Sequence, residues 1–452
     1  MQKDVIVILI VTGSYQICEK AVERKSMYGR RVFAAIFAVM MVLGTAGCGR
    51  TASQERFVPA LDTQKEVEIN VCGGWDNFEA LDQVGVDFQK YYPGVEIVYT
   101  KLEDYAHDLK NKLITGEDID IFMMDWWGYQ DSGYYEEVIS NAQDLYQTDI
   151  DISGFAPQYI ENATVDGKLL ALPVYESTAG LLMNQSLLAE NNIEIPATWD
   201  EFVSSCDTLK EKGYEPILAH NDYLTKFAVN EVMLRIVNNE EKEKVLAGLR
   251  AGKDSDGIIR QTQELIESLG DAGYISSCSS GLEDNYNAVI MKFFEGDTPY
   301  VIFYANNVSG TRKREAKSGD FQEEPFTYGF YPVPGQDGPQ AFYLNCHALY
   351  FCVYKNSANL EYVNEFMRFL AMDEEMKTLA AIKNLQVATE NSDLALFAGF
   401  DRLDSRQKHY SGENGLTIND ERFLYEVFSG YRLGQTTYDE LLEALSVQSQ
   451  TR

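Results

Sequence analysis

Apolar and polar residues alternate over residues 67–71 (Val67, Glu68, Ile69, Asn70, Val71), the period-two signal of a strand with one buried face. Gly73-Gly74 ends that run. Leu81, Val84, Phe88 and Tyr91 then recur at helical spacing until Pro93-Gly94 stops them. A second strand is predicted over 95–99. Tyr105, Leu109 and Leu113 mark a second helix that ends near Gly116, and a third strand follows over 120–124. Strand, helix, strand, helix, strand with short connections predicts a mostly parallel sheet.

The pattern then changes. Pro173 interrupts an apolar run over 169–174, a second run covers 179–183, and a helical pattern follows over 186–190. Thr198-Trp199-Asp200-Glu201 has the spacing of a capping box: the threonine hydroxyl accepts from the amide of residue 201, and the glutamate reaches back to the amide of residue 198. Ile258, Ile259, Leu265, Ile266 and Leu269 predict a packed helix, and residues 300–303 an apolar strand. Residues 349–353 predict another strand, Leu360, Val363, Phe366, Met367 and Leu370 an amphipathic helix, and 438–445 a terminal helix.

Composition narrows the function. A formal net charge of −32 over 452 residues argues against nucleic-acid binding, because phosphates are drawn to fields of Lys and Arg. The seven cysteines and four histidines are scattered without a CxxC pair or a Cys/His metal spacing. Cys346 and Cys352 are read as buried free thiols. Arg30-Arg31, an apolar stretch over 32–43 and small residues before Cys48 read as a secretory signal, too short for a comfortable membrane span. Thr45-Ala46-Gly47-Cys48 resembles a bacterial lipobox with Thr45 in place of leucine, which makes Cys48 the expected lipidated residue. Such a signal belongs at an amino terminus, so translation is expected to start at Met27.

Ligands of open α/β sheets bind beyond the carboxyl ends of strands. Those ends carry Gly73-Gly74-Trp75-Asp76 and Asp125-Trp126-Trp127-Gly128, so three of the four tryptophans lie there, each loop with an aspartate. Indole faces stack on the C–H faces of sugar rings, and carboxylates accept from hydroxyls. Trp75, Asp76, Asp125, Trp126 and Trp127 are therefore candidate ligand contacts. GxGxxG and P-loop patterns are absent from these turns.

Gly167-Lys168, Leu172-Pro173, Met183-Asn184 and Pro196-Ala197-Thr198-Trp199-Asp200-Glu201-Phe202 follow one another in an order that resembles the extracellular solute-binding proteins of bacterial ABC importers, the carbohydrate-type, maltose-binding-protein-like lipoproteins. Phe294-Glu295-Gly296-Asp297-Thr298-Pro299-Tyr300, Tyr331-Pro332-Val333-Pro334-Gly335 and the helix over 361–372 extend the resemblance over nearly all of the chain beyond the signal. It implies an α/β fold of the periplasmic-binding-protein type II kind: two lobes joined by crossing hinge strands, with a ligand cleft between them. On that pattern, residues 1–47 are an upstream extension and signal, and 48–65 a tether. Residues 66–172 plus 345–385 form the first lobe, and 173–344 plus 386–452 the second. The crossings are expected near residue 172, over 340–345 and over 384–389.

The resemblance also implies that Tyr175 and Glu176 face the cleft, that Tyr304 is the second lobe's stacking ring, and that Asn306, with Asn307, and Tyr343 adjoin it. Trp199 is structural. The function implied is capture of a carbohydrate, an oligosaccharide, for a membrane permease by a monomeric receptor anchored outside the cytoplasm through Cys48. No catalytic residue, metal or cofactor is called for. Two other readings stay open: the same fold binding a peptide or polyamine or serving a sensor, and a secreted glycosidase using paired carboxylates.

Overall fold

The computed structural model describes residues 57–75, 78–125, 135–275, 285–308, 310–335, 343–345, 347–389, 394–403, 407–410, 413, 415–416 and 418–450. Strands β1 (Val67–Gly73), β2 (Val95–Lys101) and β3 (Ile121–Asp125) are the three predicted, and β1 pairs in parallel with both others. Val67, Ile69 and Val71 are buried, as the alternation requires. The helix Glu79–Gln89 buries Leu81, Val84 and Phe88, and the helix Tyr105–Thr115 buries Leu109 and Leu113. Gly116 ends the latter with φ of 73°. A Cβ there would stand 2.8 Å from the Tyr354 hydroxyl, so both backbone and space call for glycine.

β4 (Thr164–Val165) and β5 (Lys168–Leu169) make a small hairpin. β6 (Leu172–Ser177) then joins the first sheet, and β7 (Ala179–Asn184) belongs to a second. The second sheet also holds β8 (Ile217–Ala219), β9 (Tyr300–Tyr304) and β10 (Tyr328–Tyr331). β11 (Tyr343–Asn345) pairs with the later β13 (Lys408–Tyr410), while β12 (His347–Val353) lies in the first sheet between β3 and β6. The orders are β2-β1-β3-β12-β6 and β10-β7-β9-β8.

The first crossing is thus at Thr178, not at the expected step from 172 to 173. Pro173 does not end the strand. β6 lies at the edge of its sheet, and its pairing with β12 shifts register between Leu349 and Tyr350, opposite the proline. The chain leaves the second sheet after β10 and is back in the first by His347 of β12, with β11 paired only to β13 on the way. Residues 386–388 line the outer edge of β6: the Glu176 amide donates to the Gln386 carbonyl at 3.1 Å, and the Ala388 amide to the Val174 carbonyl at 3.0 Å. They belong with the first sheet, whereas the expected boundary put them in the second lobe. Phe397 and Phe400 already pack on Phe330 of β10.

The expected tether also differs over its last residues. The Ala60 amide donates to Tyr92 Oη and Glu365 Oε1 (3.0 and 2.9 Å), Arg368 Nη2 donates to the Val58 carbonyl (2.7 Å), and Tyr362 Oη donates to the Asp62 carbonyl (2.9 Å). Polar composition looked like a free linker, but the backbone polar groups here find partners on the helix Leu360–Leu370.

The second sheet sits in a large apolar cluster with the helices Trp199–Glu211, Asn221–Val237 and Ile258–Asp271. Trp199 is buried in it, and the capping box forms: Glu201 N donates to Thr198 Oγ1 (3.2 Å), and Thr198 N to Glu201 Oε2 (3.3 Å).

Candidate functional site

Strand direction collects the crossings along one edge. β12 runs against both β3 and β6, with Leu349 opposite Asp125 and His347 opposite Ser177. The ends of β3 and β6 therefore meet the start of β12. In the second sheet Ala179 opposes Tyr304 and Leu181 opposes Tyr331, so the ends of β9 and β10 meet the start of β7. The Ala305 amide donates to the Thr178 carbonyl at 2.9 Å, which ties the end of β9 to the first crossing. The carboxyl ends of β3, β6, β8 and β9 thus border the place where the chain changes sheet.

On the first sheet, Trp75 follows β1 and is partly exposed. Its amide donates to Tyr99 Oη at 3.1 Å, and that hydroxyl donates to the Trp75 carbonyl at 2.9 Å, which fixes the backbone of the turn. The indole stacks on Tyr175, with centroids 6.0 Å apart and planes at 19°, and leans on Phe78 at 5.1 Å. The Lys383 ammonium lies 5.4 Å from both the Trp75 and Phe78 ring centroids and 2.6 Å from Glu79 Oε2. The hydrogen bond from Lys383, with its charge and that of Lys313, holds the Glu79 carboxyl down at about 2 despite some burial.

Tyr175 is buried and donates its hydroxyl to the Leu379 carbonyl at 3.1 Å. Burial holds that phenol well above its ordinary range. Glu176 is buried too, and its Oε2 accepts from Tyr159 Oη at 2.8 Å. Both were expected to face the cleft. In this state Tyr175 backs the Trp75 indole, while the Glu176 carboxylate is engaged by Tyr159.

On the second sheet, Tyr304 ends β9 and is 1 % exposed, so its ring has no face open to solvent in this state. The Lys226 ammonium lies 4.9 Å from its centroid, and 5.6 and 5.9 Å from those of Tyr223 and Tyr425. Lys226 Nζ is 3.0 Å from Asp222 Oδ2, one helical turn away. Tyr425 Oη donates to Asp222 Oδ1. Burial pushes the Asp222 carboxyl up, but Lys226 and the Tyr425 hydroxyl outweigh it and hold the group below its usual range.

The helix Asn221–Val237 starts directly after β8, capped by His220 Nδ1, which accepts from the Asp222 amide at 3.2 Å. Arg432 Nε donates to Thr225 Oγ1 at 2.9 Å and its Nη2 to the Asn221 carbonyl at 2.9 Å, which fixes that first turn. None of Lys383, Glu79, Asp222, Lys226 and Tyr425 was singled out from the sequence. Only the i, i+4 spacing of Asp222 and Lys226 was a usable signal.

Of the other expected contacts, Asp125 ends β3, Asn306 lies in the short helix Ala305–Val308, and Tyr343 opens β11. Asp76, Trp126, Trp127 and Cys48 lie outside the described residues. The basic stretch over 312–317 partly bridges the sheets. Arg312 Nη1 donates to the Ala381 carbonyl at 3.2 Å, and Lys313 Nζ lies 3.6 Å from Glu79 Oε1. Cys72, Cys206 and Cys352 are free and buried. Burial pushes the first two thiols up to about 11 and about 12, and the third upward as well, so all three are inert near neutrality.

Among the described residues the site offers rings, ammonium groups and carboxylates at a crossing between sheets. Residues 83–396 match the family described as bacterial extracellular solute-binding protein. The chain belongs to this family. Members are solute-binding proteins, and the family places the chain outside the cytoplasm.

Among relatives, the chain is 24 % identical over 261 residues to an uncharacterized ABC transporter extracellular-binding protein of Pyrococcus horikoshii, covering 49 % of this chain and 59 % of that one. It is 20 % identical over 383 residues to the melibiose/raffinose/stachyose-binding protein MelE of Bacillus subtilis, covering 80 % and 82 %. The solved structure of apo RafE from Streptococcus pneumoniae superposes with a TM-score of 0.65 at 17 % identity, over 86 % of this chain and 98 % of that one. That likeness shows the fold of this solute-binding protein: two α/β lobes of the type II periplasmic-binding kind, one built on each sheet.

Proposed function

We propose that this chain captures an oligosaccharide between its two lobes and delivers it to the membrane permease of an ABC importer. The observation that carries the reading is Trp75, a partly exposed indole held flat by Tyr175 and Phe78 at the edge where the chain crosses between lobes. A rigid indole face suits the C–H face of a sugar ring. Asp76, Asp125, Trp126 and Trp127 share the adjoining loops in sequence and are assigned to the same face. Asn306, beside the Thr178 crossing, and Tyr343, which opens β11 ahead of the return to the first sheet, are assigned to the far side. The sugar-binding names of relatives such as MelE support this class of ligand. Lobes joined by crossing strands can hinge shut and exclude water.

Ligand binding raises the unfolding midpoint by mass action. Thermal shift against melibiose, raffinose, stachyose, maltotriose, short peptides and spermidine tests the reading. Stabilisation by at least one sugar is expected. A shift with a peptide or spermidine and none with any sugar would overturn it.

We also assign the chain to the outer face of the membrane as a monomer anchored through a lipidated Cys48. Cys48→Ser should move the protein from the detergent phase to the aqueous phase in a Triton X-114 partition. An unchanged distribution refutes the anchor.

A further inference from the structure

The Lys226 ammonium occupies the space between three tyrosine rings, at 4.9 Å from Tyr304, 5.6 Å from Tyr223 and 5.9 Å from Tyr425, with the Asp222 carboxylate 3.0 Å away. Rings and an acid around one ammonium are the arrangement that recognises cationic ligands, in which the ring quadrupoles and a carboxylate replace water around the positive charge. Here the chain supplies the cation itself. The group stands at the carboxyl ends of β8 and β9, beside the Thr178 crossing. The Lys226 side chain keeps 25 % of its surface exposed and Asp222 35 %, whereas Tyr304 beneath them keeps almost none.

We propose that Asp222 and Lys226 are the specificity-determining pair of the second lobe. The self-filled tyrosine cage bars cationic solutes, and the lysine and aspartate present a donor and an acceptor to neighbouring hydroxyls of a neutral sugar. An ammonium has three donors and no acceptor, and an ionised carboxylate accepts only, so the pair matches a vicinal diol, which can do both. The hydroxyl part of the proposal rests on the oligosaccharide reading above. The exclusion of cations does not.

The experiment uses the full chain in detergent with two probe sets, read by calorimetry and thermal shift. The cation probes are tetramethylammonium and spermidine. The wild type should bind neither, and Lys226→Ala, which empties the cage and leaves Asp222 without its lysine, should bind tetramethylammonium. Binding of either cation by the wild type, or no gain in the variant, overturns the exclusion. The sugar probes are melibiose, raffinose, stachyose and maltotriose. Lys226→Ala and Asp222→Asn should each lower the affinity for whichever sugar the wild type takes by about tenfold or more, the worth of one charged hydrogen bond. Asp222→Asn should gain no cation binding, because Lys226 still fills the cage. Wild-type sugar affinity in both variants overturns the hydroxyl role. A wild type that takes none of the four sugars removes the oligosaccharide reading and the hydroxyl role with it, and leaves the cage to be judged by the cation arm. Unliganded midpoints of both variants separate lost binding from lost folding.

Discussion

Each lobe brings an aromatic ring, a lysine and a carboxylate to the edge where the chain crosses: Trp75, Lys383 and Glu79 on the first, Tyr304, Lys226 and Asp222 on the second. The parts are alike and their order of exposure is reversed. On the first lobe the ring is partly exposed and the lysine is tucked away, with 12 % of its side chain accessible. On the second the ring is buried and the lysine stands outward. One lobe therefore presents its ring and the other its lysine, while both carboxylates stay partly exposed. On the proposed oligosaccharide reading the two unlike walls would suit the two kinds of surface of a sugar ring, its C–H faces and its hydroxyl rim. The difference also shows that an aromatic residue at a strand end is not by itself a stacking platform: its neighbours decide which group meets solvent.

If the two rings differ as described, their removal should damage different properties. Tyr304→Ala should cost about 3–5 kcal/mol of stability, the usual range for emptying a large aromatic site in a core. Chemical denaturation of the unliganded protein measures it, and a loss below about 1 kcal/mol would put the ring outside the core. Trp75→Ala should instead weaken binding of the cognate sugar by about 10–100-fold, or roughly 1.4–2.8 kcal/mol, with a small change in the unliganded midpoint. A stability loss as large as that of Tyr304→Ala would make Trp75 a core plug and erase the contrast.

The lysines should differ as well. Lys383→Ala removes a cation from beside the indole without touching the ligand, so a loss of about two- to fivefold in sugar affinity is expected, the size of a cation–π contact. A loss equal to that of Lys226→Ala would mean that both lysines contact the ligand. The smallest effect belongs to Glu79, whose side chain is 45 % exposed. Its carboxyl sits near 2 in the folded protein against an ordinary value of 4.5. The pair with Lys383 therefore contributes stability above pH 4.5 and loses it as the pH falls through 2. Solvent screening limits that contribution to about 1 kcal/mol or less. Glu79→Gln should lower the midpoint slightly at pH 7, and the gap to wild type should narrow in acid. A gap that widens in acid contradicts this assignment.

Much of the architecture was legible because it is local. The alternation over 67–71, the helical spacing of Leu81, Val84 and Phe88, and the box from Thr198 to Glu201 each report short-range geometry, and each element formed. Pro173 misled because its effect depends on context. A proline is tolerated where its strand lies at an edge and its partner shifts register, and neither condition shows in the chain order. The polar stretch before β1 misled for the same reason, since its partners are hundreds of positions away on Glu365 and Arg368.

The sequence by itself determined the main elements, their order and the tryptophans that follow β1 and β3 along the chain, because periodicity and turn residues encode local backbone choices directly. Only the tertiary structure decided what stands beside those strand ends. Tyr425 reaches Asp222 across 203 positions, and Lys383 reaches Glu79 across 304. Contacts between a ring, an ammonium and a carboxylate need proximity in space and impose no period on the chain. Which lobe offers its ring and which its charge was therefore settled by packing.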